Sequence, residues 1–299
     1  MQIAVIGLGK MRFNLALNIF NHKHEVLAFD IVASAREAIS KKGITACSSL
    51  ETLVSKIRTP RVIWMMIPAG QAVDDTIHSL LPGLNNGDIL IDGGNSFYKD
   101  SVRRAAALEE KGISYLDCGT SGGVDGALNG VCAMIGGERK IFERCEPLFR
   151  DIAVEGGYLF CGPSGAGHFV KMIHNGIEYG MMQSIAEGFE VMEKSEFNLD
   201  LRSVAGVWNH GSVVRGWLME LTEKALAKDP QLESIKGRMH SSGEGKWTLD
   251  TAIEKQIATP VIALSLMMRY RSLQEDTFSG KIVAALRYEF GGHAVDKAG

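Results

Sequence analysis

Gln2-Ile3-Ala4-Val5-Ile6-Gly7-Leu8-Gly9-Lys10-Met11-Arg12 begins the chain with an apolar run, two glycines separated by one residue, and the start of a helical pattern that continues to about Phe20. A second apolar run, Glu25 to Phe29, ends at Asp30. This strand-helix-strand order, with an acidic residue a little over twenty positions past the first glycine, is the setting in which a glycine fingerprint signifies dinucleotide binding. Gly7 makes the tight turn, and Gly9 lets a pyrophosphate approach the first amides of the helix. Leu8, Lys10 and Met11 complete the loop. Asp30 is placed to accept from a ribose 2′-hydroxyl and to repel a 2′-phosphate, so NAD is expected ahead of NADP, with NADP possible. The third glycine of the fingerprint is missing, because Arg12 stands there. That position normally packs close to the strand, so the expectation is a slightly shifted helix and weakened cofactor binding, and Arg12→Gly is expected to tighten it. The alternative is that the guanidinium reaches a phosphate.

Further strands are expected at Arg61 to Met66, Ile89 to Ile91, Ser114 to Asp117, Val131 to Ile135 and Gly157 to Phe160, most of them separated by helical patterns. Repeated alternation of this kind predicts an α/β fold with a Rossmann-type, doubly wound, mostly parallel sheet. Ligands of such sheets bind beyond the carboxyl ends of the strands. Three polar, glycine-bearing loops stand there: Ile67-Pro68-Ala69-Gly70-Gln71, Asp92-Gly93-Gly94-Asn95-Ser96 and Gly119-Thr120-Ser121-Gly122-Gly123. After Pro163 the alternation stops and helical patterns follow to the end, interrupted by a polar loop at Ser241 to Thr248. The expected organisation is a dinucleotide-binding domain over 1–163 and a smaller all-helical, substrate-binding and dimerisation domain over 164–299.

The first helix of the second part carries the chemistry. Between Gly165 and Tyr179, Lys171, His174, Asn175 and Glu178 fall at i, i+3, i+4 and i+7, which puts an amine, an imidazole, an amide and a carboxylate on one helical face. A buried face would move a lysine pKa down and a glutamate pKa up, suiting one as a base and the other as an acid. The same spacing also describes an ordinary amphipathic helix with a solvated polar stripe.

Composition narrows the classes of partner. The chain has 299 residues, 45% of them hydrophobic, with 32 Lys and Arg against 35 Asp and Glu for a net charge of -3. There is core enough for two domains and no basic run for nucleic acid or an anionic membrane. The 5 cysteines include no CxxC pair, so neither a disulfide framework nor a metal site is expected. No run is long and apolar enough to span a bilayer, and the N-terminus carries no leader pattern. A cytoplasmic, unprocessed, soluble protein with a small-molecule partner is the expectation.

Gly70-Gln71-Ala72-Val73-Asp74-Asp75, Asp92 to Ser96, Gly165 to Tyr179, Gly245-Lys246-Trp247-Thr248 and Arg287 to His293 stand in one order along the chain. With these five motifs the sequence resembles the decarboxylating 6-phosphogluconate dehydrogenases of the β-hydroxyacid dehydrogenase superfamily, and in particular their short, NAD-preferring bacterial branch. The resemblance implies Lys171 as general base and Glu178 as general acid. It implies a sugar-phosphate acid whose carboxylate and hydroxyls are held by Asn95, Ser121, Gly122, Gly123, His174 and Asn175 and whose phosphate is held by Tyr179, Lys246, Arg269, Arg287 and His293, with Thr248 also substrate-binding. Ile67, Pro68, Ala69 and Asn95 would line the cofactor. It further implies a homodimer, or a dimer of dimers, in which Arg287 and His293 complete the neighbouring subunit's site, and no metal. Two alternatives remain open: a β-hydroxyacid dehydrogenase acting without decarboxylation, which has no use for Lys246, Arg269, Arg287 and His293 together, and a dinucleotide-binding regulator without catalysis.

Overall fold

The computed structural model describes residues 1–297. Its compact units are residues 1–175 and the described residues from 176 onward. In the first, the strands β1 (Gln2–Ile6), β2 (Glu25–Phe29), β3 (Thr45–Ala46), β4 (Val62–Met65), β5 (Ile89–Asp92), β6 (Ser114–Ser121), β7 (Val131–Gly137) and β8 (Ala153–Gly162) form one sheet in the order β3-β2-β1-β4-β5-β6-β7-β8. All neighbours are parallel except β6 and β7. The helices between them are α1 (Lys10–Asn21), α2 (Ala33–Ser40), α3 (Leu50–Lys56), α4 (Gln71–Leu80), α5 (Tyr98–Glu109), α6 (Gly123–Asn129) and α7 (Arg139–Ile152).

Adjacent residues of each central strand enter opposite layers. Ile3 and Val5 of β1 and Trp64 of β4 belong to one buried cluster, while Ala4, Ile6, Ile63 and Met65 belong to another. Helices on both faces bury both sets, which is why these strands read as unbroken apolar runs. The strand order reverses between β1 and β4, so the loops after these two strands flank the crevice where doubly wound sheets take ligands. The short β3 was not expected from the sequence. Its two residues pair with Leu27 and Ala28, too briefly to leave a period-2 pattern.

The helices of the remainder are α8 (Ala166–Glu193), α9 (Leu201–Asn209), α10 (Trp217–Lys228), α11 (Glu244–Glu254), α12 (Pro260–Ser272) and α13 (Phe278–Gly291). The polar stretch expected as a loop through Thr248 is helical from Glu244 onward. Its two glycines resemble turn residues but serve the helix. Gly243 caps the helix at φ 113, and Gly245 sits inside it because an added Cβ would lie 2.5 Å from the Tyr179 ring. No helix of the described residues is long and apolar enough to cross a membrane.

Candidate active site

Asp117, fully buried in β6, organises the start of α8. Its two carboxylate oxygens accept from the amides of Gly165 at 2.7 Å and His168 at 2.8 Å, so it caps the first turn and holds it on the sheet. Packing there is close: Gly136 and Gly167 meet with no room for a Cβ on either. His168, also buried, contacts the Ser101 hydroxyl through Nδ1 at 2.7 Å. The result is a fixed helix start one turn before the chemically interesting face.

On that face Lys171 is only 6% exposed. A Cβ on Gly119 of β6 would stand 2.3 Å from the Lys171 Cβ. Its Nζ lies 3.4 Å from His174 Nδ1, which lies 2.9 Å from Asn175 Oδ1. Oδ1 only accepts, so Nδ1 carries the imidazole proton and Nε2 is left to accept from Ser121 Oγ at 3.3 Å. The first unit thus brings Lys171, His174 and Asn175 together with Ser121 and the following Gly122 and Gly123, where Gly122 adopts φ 118. Asn95 is exposed at the tip of its loop. Glu178, half-buried, follows on the same continuous helix but belongs to the second unit.

The cofactor loop is built from main chain. Gly7 adopts φ 95, and a Cβ on it would meet the Met66 carbonyl at 2.2 Å. Asp30 pins the loop, its carboxylate accepting from Leu8 N–H at 2.6 Å and Val32 N–H at 2.8 Å. Gly9 is the N-cap of α1 without a side-chain cap, so the first amides of the helix remain available to an anion. Lys10 is exposed beside them, whereas the Met11 side chain packs against the core and only its main chain can serve the loop. Ile67, Pro68 and Ala69 follow β4, with the Ile67 carbonyl 2.9 Å from where a Gly94 Cβ would be. A glycine cradle, a free helix terminus and a carboxylate at the end of β2 fit a dinucleotide.

In the second unit the Arg269 guanidinium lies 3.6 Å from the Tyr179 ring centroid, and its Nη1 donates to the His240 carbonyl at 2.8 Å. Lys246 is exposed and paired with Asp250 at 2.6 Å. Thr248, which the resemblance places among the substrate-binding residues, is buried. Its hydroxyl donates to the Glu244 carbonyl at 2.9 Å and its side chain packs on Gly176, which makes it a spacer between α8 and α11. Arg287 and His293 are exposed on α13 and just after it.

The comparisons agree with this anatomy. The pattern described as the NAD binding domain of 6-phosphogluconate dehydrogenase matches residues 2–162, and the one described as the 6-phosphogluconate dehydrogenase C-terminal domain matches 167–296. The chain belongs to the 6-phosphogluconate dehydrogenase family. Within it, a Bacillus subtilis protein provisionally named as a 6-phosphogluconate dehydrogenase is 55% identical over 99% of this chain and 100% of its own length. The NAD(+)-dependent, decarboxylating 6-phosphogluconate dehydrogenase of Haloferax volcanii is 41% identical over 99% of this chain and 98% of that protein. The solved Plasmodium falciparum 6-phosphogluconate dehydrogenase superposes with a TM-score of 0.85 at 31% identity, covering 100% of this chain and 67% of that one. The chain is therefore an oxidoreductase of this family with an NAD-binding domain.

One supporting network was invisible to the sequence. Arg104 of α5, 2% exposed, donates through Nε and Nη2 to Asp74 at 2.9 and 3.1 Å and to the Gly70 carbonyl at 2.9 Å. Its Nη1 lies 3.6 Å from Asp92, whose carboxylate also accepts from Ser96, Tyr115 and the Gly94 amide. Burial works against the Arg104 charge, but the bond to Asp74 and the neighbouring acidic groups outweigh it and raise its pKa, while Arg104 first and Arg103 second hold Asp74 low. This network fixes the loops after β4 and β5 with respect to each other. Asp74 stands in the Gly70 to Asp75 motif, and nothing local in the sequence links it to Arg104, 30 residues further on.

Proposed function

We propose that this chain oxidatively decarboxylates 6-phosphogluconate to ribulose 5-phosphate and carbon dioxide, with NAD preferred to NADP. The observation that carries the reading is Lys171, held on α8 by the Asp117 cap and the Gly119 contact, beside His174 and Asn175 and about two turns before Glu178 on the same helix. NAD, when bound on Gly7 to Met11, Asp30, Ile67 to Ala69 and Asn95, supplies the hydride acceptor. Lys171, as the neutral amine, takes the proton of the substrate 3-hydroxyl. Oxidation leaves a β-keto acid, whose carboxylate departs as carbon dioxide because the electrons pass to the ketone. Lys171, now an ammonium, hydrogen-bonds the developing enol oxygen. Glu178 then protonates the carbon that becomes C1 of ribulose 5-phosphate.

Ser121, Gly122, Gly123, His174, Asn175 and Asn95 are assigned the carboxylate and hydroxyls of the substrate, and Tyr179, Lys246, Arg269, Arg287 and His293 its phosphate. Arg287 and His293 are assigned to the site of a second subunit. Support comes from α13, which has no buried residue and exposes Phe278, Ile282, Val283, Leu286 and Phe290, an apolar set of the kind partner surfaces use. Sedimentation equilibrium tests this, since a monomer at micromolar concentration refutes it.

The deciding test is an initial-rate assay of 6-phosphogluconate with NAD and with NADP, following reduced nicotinamide and carbon dioxide together. Equal yields with NAD preferred are expected. Reduced nicotinamide without carbon dioxide identifies a simple hydroxyacid dehydrogenase, and neither product identifies a non-catalytic binder.

A further inference from the structure

Position 12 is where this chain departs from the glycine fingerprint, and the structure shows what the replacement does. Arg12 is the third residue of α1. Helical side chains lean towards the N-terminus, so a long side chain at that place reaches back over the first turn. It does so here. The Arg12 Cδ and Nη1 each lie 3.7 Å from the position that a Cβ on Gly9 would take. The first turn is not disturbed, because Phe13 N–H donates to the Gly9 carbonyl at 2.8 Å.

The guanidinium is half-buried, and among the described residues no hydrogen bond or ion pair engages it. Burial disfavours its charged form and lowers its pKa, while the charge of Asp30 opposes that effect. Asp30, whose two carboxylate oxygens accept from the Leu8 and Val32 amides, acts on the guanidinium through its charge and forms no hydrogen bond or ion pair with it. The first turn of α1 carries no acidic residue. A partly desolvated cation therefore stands over Gly9, at the helix end whose amides attract anions, without an anion of its own.

We propose that Arg12 is a cofactor-binding residue whose guanidinium, lying over Gly9 at the start of α1, engages the pyrophosphate of the dinucleotide. The proposal rests on the assignment of the first unit as an NAD-binding domain. A planar guanidinium presents paired N–H groups that match two phosphoryl oxygens, which a glycine at this position cannot supply. Charge and geometry thus replace the close helix packing of the usual fingerprint, and the sign of the effect is opposite to that expected from the sequence: removing Arg12 weakens binding.

Calorimetric titration of the full-length protein with ADP-ribose, which has the pyrophosphate but no nicotinamide, tests this, with 2′-phospho-ADP-ribose as a second probe. Arg12→Met keeps the length of the side chain and removes the charge, and Arg12→Gly restores the fingerprint. Both are expected to raise the Kd for ADP-ribose by about tenfold or more and to flatten its dependence on salt, with the ligand-free unfolding midpoint confirming that each variant is folded. Equal or tighter binding of ADP-ribose by the folded variants would overturn the proposal and show that the guanidinium obstructs the loop. A loss seen only with 2′-phospho-ADP-ribose would overturn it too, moving Arg12 to the ribose phosphate. Failure of the unsubstituted protein to bind either probe would instead overturn the cofactor assignment on which the proposal stands.

Discussion

Gly119 and Lys171 are in contact so close that glycine is required: a Cβ on Gly119 would fall 2.3 Å from the Lys171 Cβ and 2.8 Å from its Cγ. Neither neighbour can yield cheaply, since Gly119 lies in mid-sheet opposite Met134 and Lys171 on a helix capped by Asp117. Gly119→Ala is expected to push α8 off β6, costing about 1–3 kcal/mol of stability. Displacing the base by about 1 Å should lower kcat by about 100-fold. Urea unfolding and steady-state kinetics read the two effects, and a variant with unchanged kcat would detach Lys171 from the chemistry.

Lys171 and Glu178 are expected to separate by step. Lys171→Met should bind cofactor as before and lose about 10²–10⁴ in the rate of nicotinamide reduction. Glu178→Gln should retain more of that rate and be limited after decarboxylation, so pre-steady-state absorbance should show a burst of reduced nicotinamide before a slow steady state. Identical kinetic profiles in the two variants would contradict the division into base and acid.

Arg104→Met leaves the buried Asp92 carboxylate without its cation and should cost about 3–5 kcal/mol. Its pH dependence follows from Asp74, whose pKa is held below the usual value, chiefly by its bond to Arg104. A carboxylate lowered in the folded state contributes stability that is fully present above the unfolded pKa, about 3.9, and lost as pH falls through the lower folded value. The stability gap between the unsubstituted protein and Arg104→Met should therefore be widest near neutrality and narrow on the acid side of about pH 4. Chemical denaturation at several pH values measures it, and a gap that widens in acid would exclude the Asp74 bond as its source.

The sheet was legible because both its faces are covered: residues such as Ile3 to Ile6 and Val62 to Met65 feed two cores and leave unbroken apolar runs. Lys171, His174 and Asn175 were legible because a helix puts i, i+3 and i+4 on one face, whatever lies opposite. The groups that position them were not. Asp117 caps a helix 48 residues further on, and Arg104 reaches Asp74 across 30. Local periodicity carries no record of such pairings. Arg12 shows the same limit: the sequence reveals that a glycine is missing, but only the backbone shows where the replacing side chain folds.

Asp30 does two things at once, and substitution should reveal both. Its carboxylate accepts from the Leu8 and Val32 amides and is the group assigned to the ribose hydroxyl. In Asp30→Asn one acceptor becomes a donor facing an N–H, so the loop loosens and the Kd for NAD is expected to rise by about tenfold. Loss of the negative charge favours a 2′-phosphate, so the Kd for NADP should rise less or fall. Paired titrations with the two cofactors give the ratio. If it does not move, Asp30 supports the loop but does not select the cofactor.

Tyr179 and Arg269 bring two of the assigned phosphate groups into a single arrangement. The Tyr179 ring is buried against Gly245 on one side, where an added Cβ would stand 2.5 Å from it, and the Arg269 guanidinium lies 3.6 Å from its centroid. The ring fixes the plane of the guanidinium, and the His240 carbonyl takes one of its N–H groups. A lysine keeps the charge but cannot stack or present a planar fork. If the phosphate is bound equally in the ground and transition states, Arg269→Lys should raise KM for 6-phosphogluconate by about 10–100-fold and leave kcat within about twofold. Gly245→Ala should act in the same direction by tilting the ring that Arg269 rests on, although Gly245 is assigned no contact with substrate. Both substitutions should have little effect on the Kd for NAD. A fall in kcat with KM unchanged would place Arg269 at the reacting carbons and not at the phosphate.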